Sequence, residues 1–126
     1  MTQFPFRVLA FLAGLMGSSG VALAAAAAHV GDGAARLGPA STFLLFHACA
    51  VLGAAALTDR GVLQRRLGLL GAFSVVLGTA LFSGDLTIRH FFSRALFSMA
   101  APTGGTLLIV AWLILALAAI WPCKAS

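Results

Sequence analysis

The chain has 126 residues, of which 61% are hydrophobic and 9% charged, with a formal net charge of +5. A soluble domain carries about 25% charged residues, and one this small could not cover so much apolar surface, so composition excludes a soluble globular protein. The eight Lys and Arg residues are scattered over every polar connection, without a basic stripe or aromatic platform, and this excludes a nucleic-acid surface.

Four apolar runs, at residues 6–28, 42–57, 67–82 and 106–121, carry nearly all of the chain. A span needs about 20 predominantly apolar residues. The first run meets that alone, and the others meet it with flanking small or polar residues. Backbone groups in lipid must pair within their own segment, so these runs are helices. The Ala-rich stretch at 22–28 does not alternate as barrel strands do. The expected fold is a single all-α domain, residues 1–126: an integral membrane four-helix bundle, up-down antiparallel. Its helices should cover about 6–29, 41–58, 63–83 and 103–121, with short connections favouring antiparallel neighbours.

The start of the first helix imitates a secretory signal, with Arg7, an apolar core over 8–16 and an A-x-A-like Ala22-Leu23-Ala24. Retention is expected, because apolar character runs past that point to Ala28. Small residues also recur at Ala10, Gly14, Ser18, Ala22 and Ala26, a ladder that lets another helix approach closely. Next, Gly31-Asp32-Gly33 and Gly38-Pro39 should break the chain, with Ser41 or Thr42 capping the second helix. Asp59 and Gly61 mark a tight turn before the third. The connection at 84–101 is the longest. Asp85 and Arg89 stand four apart there, which suits an interfacial helix with Phe91 and Phe92 on its apolar side. His90 is expected in solvent. Pro102 and Thr103 should open the fourth helix, and Trp121 should close it at a lipid–water boundary.

Five of the Lys and Arg residues, Arg7, Arg60, Arg65, Arg66 and Lys124, fall on one side of this arrangement, and Arg36, Arg89 and Arg94 on the other. The positive-inside rule therefore puts both termini in the cytoplasm. Cys49 and Cys123 fall at different depths, which disfavours a disulfide.

Few polar groups remain near the spans. His29 ends the first helix, and His47 lies about 9 Å into the second at 1.5 Å per residue. Ser83 and Asp85 end the third, and Thr103, Gly104 and Gly105 begin the fourth. All fall towards the same membrane face and form a candidate functional polar cluster. Ionisable groups in spans are costly and often functional. A His–His–Asp set could carry protons or hold a metal, whereas a neutral His47 bonded to a carbonyl or to Asp85 would only lock helices together. The ligands stand at no metal-motif spacing, so no metal and no cofactor is expected. No nucleotide, zinc-protease or triad pattern is present, so no catalytic residue is assigned.

Four segments resemble the small membrane-protein family called domain of unknown function 423. Residues 20–29 (GVALAAAAAH) are similar to the family's G-A-F-G-A-H, with His29 at its His. Phe46-His47-Ala48 matches its aromatic–His–small segment. Residues 81–86 (LFSGDL) are similar to F-S-G-S-L. Ala101-Pro102-Thr103-Gly104-Gly105, with Trp112 beyond, resembles T-P-x-G-G…G-W. Asp85 replaces a small hydroxyl residue, Ala111 replaces a Gly, and alanines replace the Gly and Phe residues before His29. The resemblance implies a retained first helix, four spans and an inner-membrane home, and it implies no reaction. The leading expectation is a non-enzymatic structural or accessory membrane component. Its partners would be the lipid bilayer and a membrane protein or second copy. The alternative is a small transporter or channel component using His47 and Asp85.

Overall fold

The computed structural model describes residues 2–29, 31, 34–96 and 98–122, with Ala34 described by its backbone alone. Asp32, Gly33, Cys123 and Lys124, which entered the sequence reading, lie outside the described residues. Four helices follow in order: α1 (Phe4–His29), α2 (Ala34–Asp59), α3 (Arg65–Phe92) and α4 (Ala100–Ile120). All four are long and apolar enough to cross a membrane. At 1.5 Å per residue the 21 residues of α4 span about 31 Å, close to a hydrocarbon core of about 30 Å.

The helices pack in chain order, α1 on α2, α2 on α3 and α3 on α4, with α1 lightly touching α3. The bundle is therefore flattened, with α2 and α3 at its centre and α1 and α4 on its flanks. Antiparallel order shows in the ties at one end. There Gln3 donates to Asp59 (3.1 Å), Arg65 donates to the Thr2 carbonyl (3.2 Å), and the Gln64 N–H donates to the Ala118 carbonyl (2.9 Å). Arg65 also lies over the Phe6 ring, 4.9 Å from its centroid.

Burial follows helical periodicity. Phe6, Leu9, Ala13, Met16 and Gly20 form the packed stripe of α1. On α4 the stripe is Ala100, Gly104, Leu108, Ala111, Leu115 and Ala118. Large apolar side chains such as Phe11, Leu77, Ile109 and Leu113 face outward, while many small residues and the buried polar ones share the inward faces with Leu9, Leu37 and Leu108. That distribution suits lipid as the outer solvent, because hydrocarbon imposes no penalty on exposed Leu or Phe while helix contact depends on close packing.

Among the described glycines Gly104 shows the closest approach to another helix's backbone. A Cβ there would stand 2.6 Å from the Phe82 nitrogen and 2.7 Å from the Gly78 carbonyl oxygen. Gly78 and Gly104 thus let α3 and α4 meet backbone to backbone. A Cβ on Gly105 would meet only the edge of Phe82 at 3.9 Å. The turn after α2 is a Schellman closure: Gly61 takes φ +80°, Val62 N–H reaches the Leu57 carbonyl and Gly61 N–H reaches that of Thr58.

Several boundaries differ from the sequence expectation. α2 begins at Ala34, with Pro39 inside it. Proline there loses one backbone bond, but the turn is held by buried Leu37 and Ala40 and by Ser41, whose hydroxyl donates to the Gly20 carbonyl (2.9 Å). Ser41 ties α2 to α1 instead of capping. α3 continues through Gly84 to Phe92 because Ser83 and Asp85 are buried and bonded, so no separate interfacial helix forms. His90 lies half-buried in its last turn, edge-on to Phe91. α4 starts at Ala100 after Met99 in the left-handed region (φ 69°), which puts Pro102 in the first turn, where its missing N–H costs nothing.

The α1 ladder also faces a different way from a packing seam within the chain. Ala10, Gly14, Ser18 and Ala22 are exposed, and a Cβ on Gly14 would meet nothing within 4 Å. Small residues on the opposite stripe, Ala13 and Gly20, face the bundle instead.

Candidate functional site

His47 is 6% exposed, in the middle of α2. Its Nδ1 lies 2.9 Å from the Phe43 carbonyl oxygen, one turn earlier, and its Nε2 lies 3.2 Å from the indole nitrogen of Trp112 on α4. A carbonyl oxygen only accepts and an indole N–H only donates. Nδ1 therefore carries the proton and Nε2 presents its lone pair. Both ring nitrogens are used, and the arrangement requires a neutral imidazole. Phe43, Phe46 and Trp112 surround the ring, with centroids 5.3, 5.5 and 6.0 Å away.

Asp85 is fully buried near the far end of α3. Its Oδ2 accepts from Arg89 Nε at 2.8 Å, the i, i+4 pair expected from spacing, and its Oδ1 accepts the Leu96 N–H at 2.9 Å. The carboxylate thus binds the α3–α4 connection back onto α3. Arg36 of α2 donates to the Arg89 carbonyl (2.9 Å), extending this network across the bundle. Ser83 donates to the Ala40 carbonyl (2.9 Å), and Thr87 donates to the Ser83 carbonyl (2.7 Å).

The sequence-predicted residues therefore divide. His47 forms one node with Phe43 and Trp112. Ser83 and Asp85 belong to a second, with Ala40, Arg89 and Leu96. Gly104 serves the α3–α4 crossing, Gly105 is half-buried beside Phe82, and His29 and Thr103 are exposed. Among the described residues no cluster of His, Cys, Asp and Glu could hold a metal, and Cys49 is a free, exposed thiol. Sequence reasoning missed Trp112 as a partner of His47. The available signal was an indole N–H in the interior of an apolar run, a donor that needs an acceptor. Arg36 and Ser41 were missed because their acceptors are backbone carbonyls on other helices.

A groove of about 540 Å³ runs beside His47 between α2, α3 and α4, lined by Thr42, Phe46, Phe82, Leu108, Ile109 and Trp112 among others. A second, of about 460 Å³, lies between α1, α2 and α3 beside Ser19, Leu44, Ser83 and Thr87.

Apolar outside, with most of its buried polar side chains bonded inside the bundle and four membrane-length helices, this is an integral membrane protein of the small polytopic class. Residues 23–105 match the family described as "Protein of unknown function (DUF423)". The chain is 33% identical over 123 residues to the UPF0382 inner membrane protein YgdD of Escherichia coli K12, and equally to that of Shigella flexneri, covering 90% of each chain. No solved structure matches. The chain belongs to the DUF423 family of inner-membrane proteins, whose function is unknown.

Proposed function

We propose that this protein is a non-enzymatic accessory component of the inner membrane that works by packing against another membrane protein. One observation carries the reading: the two buried ionisable groups among the described residues, His47 and Asp85, spend their bonding capacity on internal ties. A proton or ion pathway needs such groups to exchange partners with water, and here exchange would break the His47–Trp112 bond or release the α3–α4 connection. The exposed small-residue face of α1 (Ala10, Gly14, Ser18, Ala22) supports the same reading, because it admits a close helix neighbour that the chain itself does not supply. Arg7, Arg60, Arg65 and Arg66 gather at one end, which supports a cytoplasmic position for both termini.

The test is purification at native expression level in mild detergent, followed by mass spectrometry, with Gly14→Leu beside the parent. The expected result is a stoichiometric membrane partner or second copy that Gly14→Leu releases while the isolated variant keeps the parent's thermal stability. A monomer that conducts protons or ions in liposomes would overturn the reading in favour of transport.

A further inference from the structure

The groove between α2, α3 and α4 has a polar end with a specific architecture. Phe43 of α2 and Phe82 of α3 stack in the groove wall with ring centroids 4.3 Å apart. Arg36 stands seven residues before Phe43, and Arg89 seven residues after Phe82. Seven residues are close to two helical turns, so each Arg lies on the same helix face as its Phe, about 10 Å further along the axis. α2 and α3 run antiparallel, which brings the two cations to the same end. The 2.9 Å bond from Arg36 Nη1 to the Arg89 carbonyl sets the Arg36 guanidinium against the α3 backbone at that end. An apolar trough about 540 Å³ in volume thus has two arginines, Arg36 and Arg89, about two helical turns beyond its Phe43–Phe82 wall.

We propose that this trough is a binding site for an anionic phospholipid, with one acyl chain lying along Phe46, Ile109 and Trp112 and the phosphate on Arg36 and Arg89. The volume falls in the range of small-molecule sites, roughly 300–1,000 Å³, and the wall is almost wholly apolar apart from the Thr42 hydroxyl and the His47 ring, whose nitrogens are already bonded.

Charge at the polar end favours an anion. Among the described residues Asp85 is the only carboxylate at this end, and it is engaged by Arg89 and the Leu96 N–H. Among the described residues Arg36 pairs with no carboxylate; it is exposed, with one donor committed to the Arg89 carbonyl. Arg89, through its two Nη groups, adds donors without adding net charge beyond its pair with Asp85. Arg94, exposed in the α3–α4 connection, raises the positive potential further, and His90 lies half-buried in the last turn of α3. A guanidinium offers planar, paired donors that match phosphate geometry. A zwitterionic headgroup would bring its own cation to the same place. Hence the site selects a net-negative headgroup.

Trp112 lines the trough and makes the proposal measurable. Trp121→Phe leaves Trp112 as the single tryptophan. The full chain is reconstituted into phosphatidylcholine vesicles doped either with phosphatidylglycerol brominated on its acyl chains or with identically brominated phosphatidylcholine. The expected result is half-maximal quenching of Trp112 at a mole fraction of phosphatidylglycerol about fivefold lower than for phosphatidylcholine, the scale of one Arg near an anionic surface. Arg36→Gln should erase the difference, Arg36→Lys should keep most of it, and Arg60→Gln, at the opposite end, should leave it unchanged. Coincident quenching curves in the parent overturn the proposal, whatever the variants do. So does a preference that survives in Arg36→Gln, or a Trp112 that no lipid quenches because a second copy closes the trough.

Discussion

Trp112 Nε1 stands 3.2 Å from His47 Nε2, and this bond fixes both the tautomer of the imidazole and the register of α4 against α2. The main packing of α4 is on α3, so the indole is a principal link from α4 to the other central helix. The Gln64 N–H to the Ala118 carbonyl adds a second tie near the turn between α2 and α3.

Breaking that bond should loosen α4. His47→Ala removes the acceptor of the Trp112 indole N–H and the ring contacts with Phe43 and Phe46, and Trp112→Phe leaves the buried His47 Nε2 unpaired. Each should cost about 1–3 kcal/mol of stability, the scale of an orphaned buried polar group. A double-mutant cycle read by unfolding in detergent should give a coupling near the roughly 0.6–1.7 kcal/mol of interhelical bonds in membranes. Additive single effects would show that the two side chains act independently.

Asp85 and Arg89 should respond unequally. Asp85 is fully buried, whereas the Arg89 side chain is 41% exposed. Arg89→Gln therefore leaves a carboxylate that still accepts the Leu96 N–H, and water replaces part of the lost partner. Asp85→Ala leaves that N–H without its acceptor. We expect Asp85→Ala to destabilise more than Arg89→Gln, and to raise amide exchange over residues 93–96 before global unfolding. Equal effects would contradict the asymmetric geometry.

The two neighbouring glycines of α4 should separate cleanly. Gly104→Ala forces a methyl against the backbone of Phe82 and Gly78, which cannot rotate away, and overpacking of this kind costs about 1–3 kcal/mol. Gly105→Ala places its methyl in ordinary contact with Phe82 and should fall within about 0.5 kcal/mol of the parent. Thermal unfolding of the two variants in one detergent distinguishes them.

Thr79 is fully buried, and its hydroxyl has no hydrogen-bond partner. Valine has nearly the same shape and no polar atom, so Thr79→Val should be neutral or stabilising by about 1 kcal/mol. A loss of stability would reveal a bond made by that hydroxyl in the membrane.

The amino-acid sequence by itself determined the solvent, the number of spans and their antiparallel order, because apolar length and the spacing of charges act locally along the chain. It also singled out His47 and Asp85, since ionisable residues in apolar runs stand out from their surroundings. It could not say that Pro39 lies inside α2, that Asp85 continues α3 where a break was expected, or that the α1 ladder faces outward. Those outcomes depend on which carbonyl lies opposite Ser41 and which N–H comes within reach of Asp85. Only the tertiary structure decides them, because the partners are backbone groups distant in sequence. A carbonyl or N–H is chemically alike at every position until the packed helices single one out.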